Sequence, residues 1–452
     1  MRSIVVSITI GRCPELESKV SRPEDGGTLA LLSSLSFALV LLLVLSTPFV
    51  DMSGEVSSKQ SAYRIYGYSL AGLLQIALVV MRGWKRSVLI YTTALTPFLI
   101  WAALSLLWTQ HFDLTSKRLV LLAVVYAGIF GGICDLSYQR TLSILRVVLI
   151  AALILNFAVV FAMPDIGMHK STLWRGFMAH KNIAGMLCTF TVIMFVFDGS
   201  KLPRPARLAV ITGALVFLVL TWSKTALITL PIAIASGGAI ALIRDRHSSF
   251  SDSVRKAFVT GSRVLLAIVI VALIVLTLQR DFLLSLTNDT STLTTRGAIW
   301  RPMIQFYLDS SFLGSGYGAY WDASEGLIDP HANKELWRNV DQGHNGYLDL
   351  LVQVGLPGLA LALHAALAWP LAQLATVIGR QPQRAALIFA VLVFSLIENF
   401  SESSLFADDA LGNCILLIAL AQLHRIRLRS AKEATVHRRR RSKTLPEMPF
   451  AE

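Results

Sequence analysis

Long apolar stretches separated by short polar ones run through most of the chain. A helix that crosses the hydrocarbon core needs about 20 apolar residues. Runs near that length fall at approximately 28–50, 66–82, 88–108, 119–134, 141–163, 183–198, 207–222, 225–243, 262–279, 346–369, 385–400 and 407–424. The pattern predicts an all-α polytopic membrane protein with about 12 transmembrane helices. The first run follows 27 mostly polar residues and is not followed by a small-x-small cleavage signal, so it is expected to be a retained helix. The widest gap, from Arg280 to Asn345, predicts one large external loop with short helices. Expected domain organisation is therefore 1–27 as an N-terminal segment, 28–279 as membrane spans 1–9, 280–345 as the large loop, 346–424 as spans 10–12, and 425–452 as a basic tail.

Composition agrees with this. Of 452 residues, 54% are hydrophobic and 15% charged, against roughly 25% charged in a soluble domain. The net charge of +13 becomes informative once it is divided by topology, because basic short loops stay cytoplasmic. With the N-terminus inside, 27 of the 41 Lys and Arg residues lie inside and 13 outside; the opposite orientation inverts the bias. Both termini are thus expected inside, and the external face comes out slightly acidic. The basic balance is a topology signal, and no nucleic-acid partner is expected. Four arginines in a row, Arg438 to Arg441, are accounted for by anionic inner-leaflet lipid. Cys13, Cys134, Cys188 and Cys414 have no pair spacing and read as isolated apolar thiols.

The large loop carries Trp300, Phe306, Tyr307, Phe312, Tyr317, Tyr320, Trp321 and Trp337, too aromatic for a disordered segment. Trp300, Met303, Ile304 and Tyr307 make a helical stripe over Ile299 to Leu308, with Pro302 expected to limit where that helix begins. Such a stripe is expected to pack on the membrane domain or to lie at the interface. Gly314-Ser315-Gly316-Tyr317-Gly318 lacks the flanking strand and helix of a nucleotide loop and reads as a tight turn back to the membrane. No HExxH, CxxC or DxD-like cluster occurs outside, so no metal or cofactor is implied.

The chemically interesting groups sit where external loops meet spans. Trp222-Ser223-Lys224-Thr225 forms a very short turn, which puts Lys224 at the membrane surface. Arg296 and Arg301 follow the ninth span; five residues on a helix is about 140° of rotation, so one of the two, Arg301, is expected to be structural. His344-Asn345 introduces the tenth span, with Asn345 a candidate helix cap. Tyr347 can share a helical face with His344 while Asp349 cannot, so local spacing gives no His–Asp dyad. His180, Lys181 and Asn182 are candidate phosphate or glycan contacts, with Arg301 a further candidate. Glu398 and Glu402, at the external end of the eleventh span, need partners, and one is expected to orient a catalytic cation.

Lys224 in "TWSKTALI", Arg296 and Trp300 in "TTRGAIW", then "LGSGYGAYW" and "GHNGYLDLLVQVGLPGL" resemble the O-antigen ligase and polymerase superfamily of bacterial membrane glycosyltransferases. The segment "WRGFMAHKNIAGM", residues 174–186, is similar to the exopolysaccharide polymerase branch. The resemblance runs from about residue 165 to 405. It implies a protein of the bacterial cytoplasmic membrane with its active site facing the periplasm. There a glycan would pass from undecaprenyl diphosphate to an acceptor glycan hydroxyl, by an inverting, metal-independent transfer. Two basic residues that match Lys224 and Arg296 would bind the diphosphate, and His344 would take the acceptor proton. The family's first basic residue is usually Arg, whereas this chain has Lys224. The resemblance implies a lipid-linked oligosaccharide, an acceptor glycan and the lipid bilayer as partners, with other polysaccharide-export proteins as candidates. Polymerase is favoured over a ligase that transfers to lipid A core. The reading from another class is a secondary transporter, which should show related halves and polar groups at the midplane; no such repeat is visible.

Overall fold

The computed structural model describes residues 27–46, 62–169, 172–198, 202–242, 252–279, 296–309, 312–321, 342–378 and 381–444. The expected N-terminal segment, most of the large loop including Trp337, and the last eight residues lie outside these. Helices dominate: α1 (Thr28–Ser46), α2 (Ala62–Arg82), α3 (Trp84–Tyr91), α4 (Thr96–Leu104), α5 (Phe112–Asp135), α6 (Tyr138–Ala162), α7 (Pro164–Gly167), α8 (Lys181–Asp198), α9 (Arg204–Thr221), α10 (Lys224–Leu242), α11 (Asp252–Leu278), α12 (Arg296–Asp309), α13 (Gly346–Leu363), α14 (Trp369–Val377), α15 (Pro382–Glu398) and α16 (Leu411–Thr444). A two-residue hairpin, β1 (Met168–His169) with β2 (Leu173–Trp174), is the only sheet among the described residues.

Nine described helices are long and apolar enough to cross a membrane, or ten when one bent pair counts as a span. The protein is therefore an all-α integral membrane protein. The expected runs at 262–279 and 385–400 are helical too, within α11 and α15, though both fall short of those ten. The run at 88–108 is corrected: it is not one straight span but α3 and α4, bent by 89°. Pro97 lies in the first turn of α4, where a missing N–H costs nothing. The Tyr91 carbonyl, freed by the break, accepts from the Thr96 hydroxyl at 3.0 Å and the Tyr126 hydroxyl at 2.9 Å. The pair still crosses the bundle. At one end Arg82 and Arg86 reach Asp135, the last residue of α5; at the other Thr109 meets Thr115 in the first turn of α5.

A second break lies in α13, where Gly355 is non-helical with φ 67° and Pro357 follows. Pro357 has no N–H to offer Gln353, and the kink frees the neighbouring carbonyls as well. All three are satisfied from elsewhere: Val352 by Ser315 N at 2.9 Å, Gln353 by Gly316 N at 2.8 Å, and Val354 by Trp101 Nε1 at 2.9 Å. The glycine-rich segment is thus the tight turn expected, docked on the break. Gly314 has φ 76°, and a Cβ on it would lie 2.7 Å from the Gln353 backbone, so only glycine fits.

The aromatic stripe packs as expected, but its helix starts at Arg296 and holds Pro302 inside. Pro302 does not set the start, because Ile299, Met303 and Tyr307 are buried against Val352 and Tyr320, and that packing outweighs one missing backbone bond. Cys188 and Cys414 are buried and Cys134 half-buried, all free thiols; Cys13 lies outside the described residues.

Candidate active site

Four helices begin at one end of the bundle with the residues singled out above: α8 at Lys181, α10 at Lys224, α12 at Arg296, and α13 just after His344 and Asn345. A helix start carries partial positive charge; at α8 and α13 the first N–H groups are taken up by His180, Asn345, Asn399 and Glu402. Trp222 takes a left-handed φ of 51° to close α9, which turns the chain so tightly that Lys224 is the first residue of α10. Lys224 is exposed and makes no hydrogen bond or ion pair among the described residues.

The loop after α15 gathers these segments. Arg296 Nη2 donates to the Ser401 carbonyl at 3.0 Å, and the Ser401 hydroxyl pairs with Thr225, next to Lys224, at 2.7 Å. Glu402 is 7% exposed. One of its carboxylate oxygens accepts from Asn182 Nδ2 at 2.5 Å, and the other lies 3.7 Å from His344 Nδ1. That is too long for a hydrogen bond but close enough for an ion pair once the imidazole is protonated. Lys181 Nζ reaches the Trp222 carbonyl at 3.5 Å. His180 is exposed and its Nδ1 accepts from Asn182 N at 3.3 Å, which shapes the turn into α8.

His344 has a left-handed φ of 49°, a conformation with a cost that the surroundings must impose. On one side Gly343 is pinned: its N–H faces the Asp349 carboxylate at 3.1 Å and its carbonyl accepts from Trp300 Nε1 at 2.7 Å. On the other, Asn345 is the cap of α13, its Oδ1 accepting from Tyr347 N and Leu348 N at 3.1 and 3.2 Å. Gly346 N bonds the carbonyls of Asn399 and Glu402, both at 2.9 Å.

Arg296, Thr225 beside Lys224, Asn182 and His344 are thereby joined through Ser401 and Glu402, and Lys181 reaches the Lys224 turn at Trp222. Arg301 is exposed on α12, about 140° from Arg296 by helical rotation. Asp349 bonds Gly343 and Trp321 rather than His344, and Tyr347 donates to the Leu396 carbonyl at 2.7 Å. Neither expected orienting acid pairs with Lys224 or Arg296 among the described residues. Glu398 accepts from Ser404 at 3.0 Å and supports the loop, while Glu402 faces the imidazole. Beside the site lies a cluster that sequence reasoning missed: Arg118 pairs with Asp408 at 2.9 Å and Arg64 with Asp409 at 2.5 Å, and Tyr68 bonds Asp409 at 2.9 Å. Burial pushes the Asp409 carboxyl above the ordinary range, as does the charge of Asp408, against the pull of Arg64 and Tyr68. Adjacent aspartates ahead of a span were its sequence signal. Among the described residues no three His, Cys, Asp or Glu side chains group as a metal site.

Residues 208–363 match the sequence profile of the O-antigen ligase family, a stretch that holds Lys224, Arg296 and His344. The exopolysaccharide production protein ExoQ of Rhizobium meliloti (strain 1021) is 26% identical over 174 residues, which cover 36% of this chain and 36% of ExoQ. The chain thus spans about a third of that relative's length. Both similarities support placing the chain in the O-antigen ligase and polymerase superfamily, as its motifs indicate.

Proposed function

We propose that this protein transfers a glycan from an undecaprenyl diphosphate carrier to a sugar hydroxyl at the external face of the bacterial cytoplasmic membrane, acting as an exopolysaccharide or O-antigen polymerase. The observation that carries the proposal is the junction at Ser401 and Glu402, which draws Arg296, the Lys224 turn and His344 to one membrane-surface site. Orientation follows the basic-residue bias, which puts both termini in the cytoplasm.

In this reading the acceptor oxygen attacks the anomeric carbon from the face opposite the diphosphate, so configuration inverts. The carbon–oxygen bond to the carrier breaks, its electron pair leaves with undecaprenyl diphosphate, and the acceptor proton passes to the neutral His344 imidazole. Negative charge grows on the diphosphate as that bond breaks. Lys224, the remaining donors of Arg296 and the start of α10 stabilise it. The proton taken up by His344 creates an imidazolium whose Nδ1 faces Glu402. The positive charge is supplied by side chains, which is why the transfer is read as metal-independent. His180 and Lys181 lie where a sugar or phosphate could touch them.

The similarity to an exopolysaccharide production protein favours polymerase over ligase. Purified protein incubated with undecaprenyl diphosphate oligosaccharide alone should lengthen the chain. Transfer that occurs only when lipid A core is added would make it a ligase. Activity retained in both Arg296→Ala and His344→Ala would refute the mechanism and reopen the transporter reading.

A further inference from the structure

At the opposite end of the bundle lies a second, unrelated concentration of positive charge. Arg425, on α16, is 3% exposed, and Nε, Nη1 and Nη2 of its guanidinium all lack a hydrogen-bond partner among the described residues. One turn earlier on the same face, the buried Gln422 has an unpartnered Nε2. The charges of Arg429 and Arg384 both bear on Arg425. Arg384 comes from the first turn of α15, stacked over the Tyr138 ring at 3.9 Å.

An uncompensated buried guanidinium is strongly unfavourable, and other cations close by make it worse. Two carboxylates described at this end are engaged elsewhere. Asp135 binds Arg82, Arg86 and the Ser33 hydroxyl, and Asp198 binds Arg146 at 3.0 Å. What is missing is an anion with several acceptor oxygens. A guanidinium presents a planar fork that matches a phosphate in bidentate fashion, and the surrounding charge favours a phosphate over a single carboxylate. The position fits as well: Arg425 directly follows the apolar run 407–424 and is followed by Arg427 and Arg429, which puts it at the end of that run, where the hydrocarbon gives way to lipid headgroups.

We propose that Arg425, with Gln422, Arg384 and Arg429 around it, forms a binding site for a phosphate-bearing anion at the membrane surface opposite the glycan-transfer site. It is independent of the transfer chemistry. The test uses the full-length protein purified and delipidated in neutral detergent. Its thermal midpoint is followed during titration with inorganic phosphate, with dioleoyl-phosphatidylglycerol, and with uncharged diacylglycerol as control. A rise of several degrees with phosphatidylglycerol but not with phosphate identifies a lipid headgroup; a rise with both identifies the phosphate group itself. The rise should be lost in Arg425→Gln, whose midpoint without anion should equal or exceed that of the parent because an unpaired charge is gone. Arg425→Lys, which keeps the charge without the fork, should bind about tenfold more weakly or worse. It decides the matter if the Gln variant does not fold. No response of the parent to either anion, or an equal response in the parent and Arg425→Lys, overturns the proposal.

Discussion

Glu402 is the residue whose removal most directly tests how the site works. Its carboxylate lies 3.7 Å from His344 Nδ1, and two unit charges at that separation interact by about 4 kcal/mol at an effective dielectric constant near 20. The imidazole side chain is 30% exposed, so solvent screening reduces this to roughly half, about 2 kcal/mol. That energy acts only once His344 has taken the proton, so it lowers the barrier without tightening substrate binding. Glu402→Gln keeps the shape and the contact to Asn182 but removes the charge. It should lower kcat about 30-fold with KM little changed, and Glu402→Asp should restore part of the rate. The decisive measurement is the cycle with His344→Ala. If Glu402 acts through the imidazole, the double variant should be no slower than His344→Ala alone, because the two residues work as a unit. Additive losses, or a fall in thermal midpoint that accounts for the lost activity, would show that Glu402 only holds the loop.

Three further outcomes follow from the geometry. Lys224→Arg should preserve or raise transfer, since a guanidinium adds a fork at an exposed position without a competing partner, whereas Lys224→Met should lose about tenfold or more in kcat/KM; equal rates for the parent and Lys224→Met would remove Lys224 from the site. Asn345→Ala should cost about 1 kcal/mol through the lost cap of α13 and should lower kcat further by freeing His344 from its left-handed conformation, read as a drop in rate larger than the stability change explains. Gly355→Ala should destabilise the protein by more than about 2 kcal/mol, because φ is positive and the new methyl would collide with the Phe312 carbonyl; an unchanged thermal midpoint would contradict the described break.

Much of the membrane architecture was legible because hydropathy is a local signal and each span must satisfy its own backbone. The 88–108 run misled for the same reason. Its composition is that of a span, yet the Thr92-Thr93 stretch and Pro97 allow a right-angle bend whose free carbonyl is satisfied by Tyr126, far away in sequence. The candidate residues Lys224, Arg296 and His344 were picked out by motifs. Their junction was not. Asn182 meets Glu402 across 220 residues and Arg296 meets Ser401 across 105, and no periodicity encodes contacts between helix ends. Glu398 and Glu402 were expected to need partners and one of them to orient a catalytic cation; among the described residues their contacts are an imidazole, an amide and a serine, and neither meets Lys224 or Arg296.

This difference bears on how, in the proposed topology, an external face that is acidic overall would attract the diphosphate of the proposed carrier. A simple count of charge would predict repulsion. In the structure the described carboxylates near the site are directed away from the candidate cations: Asp408 to Arg118, Asp409 to Arg64 and Tyr68, Asp349 to Gly343 and Trp321, Glu398 to Ser404, and Glu402 to Asn182 and His344. Arg296 instead spends one donor on the neutral Ser401 carbonyl, and that contact fixes its position without cancelling its charge. Lys224 is held by its place at the start of α10, with Thr225 tied to the same serine. In the proposed reading, neutral anchors for the cations and separate partners for the described acids would leave a locally positive surface among the described residues, and such a surface favours a diphosphate over the neutral sugars attached to it.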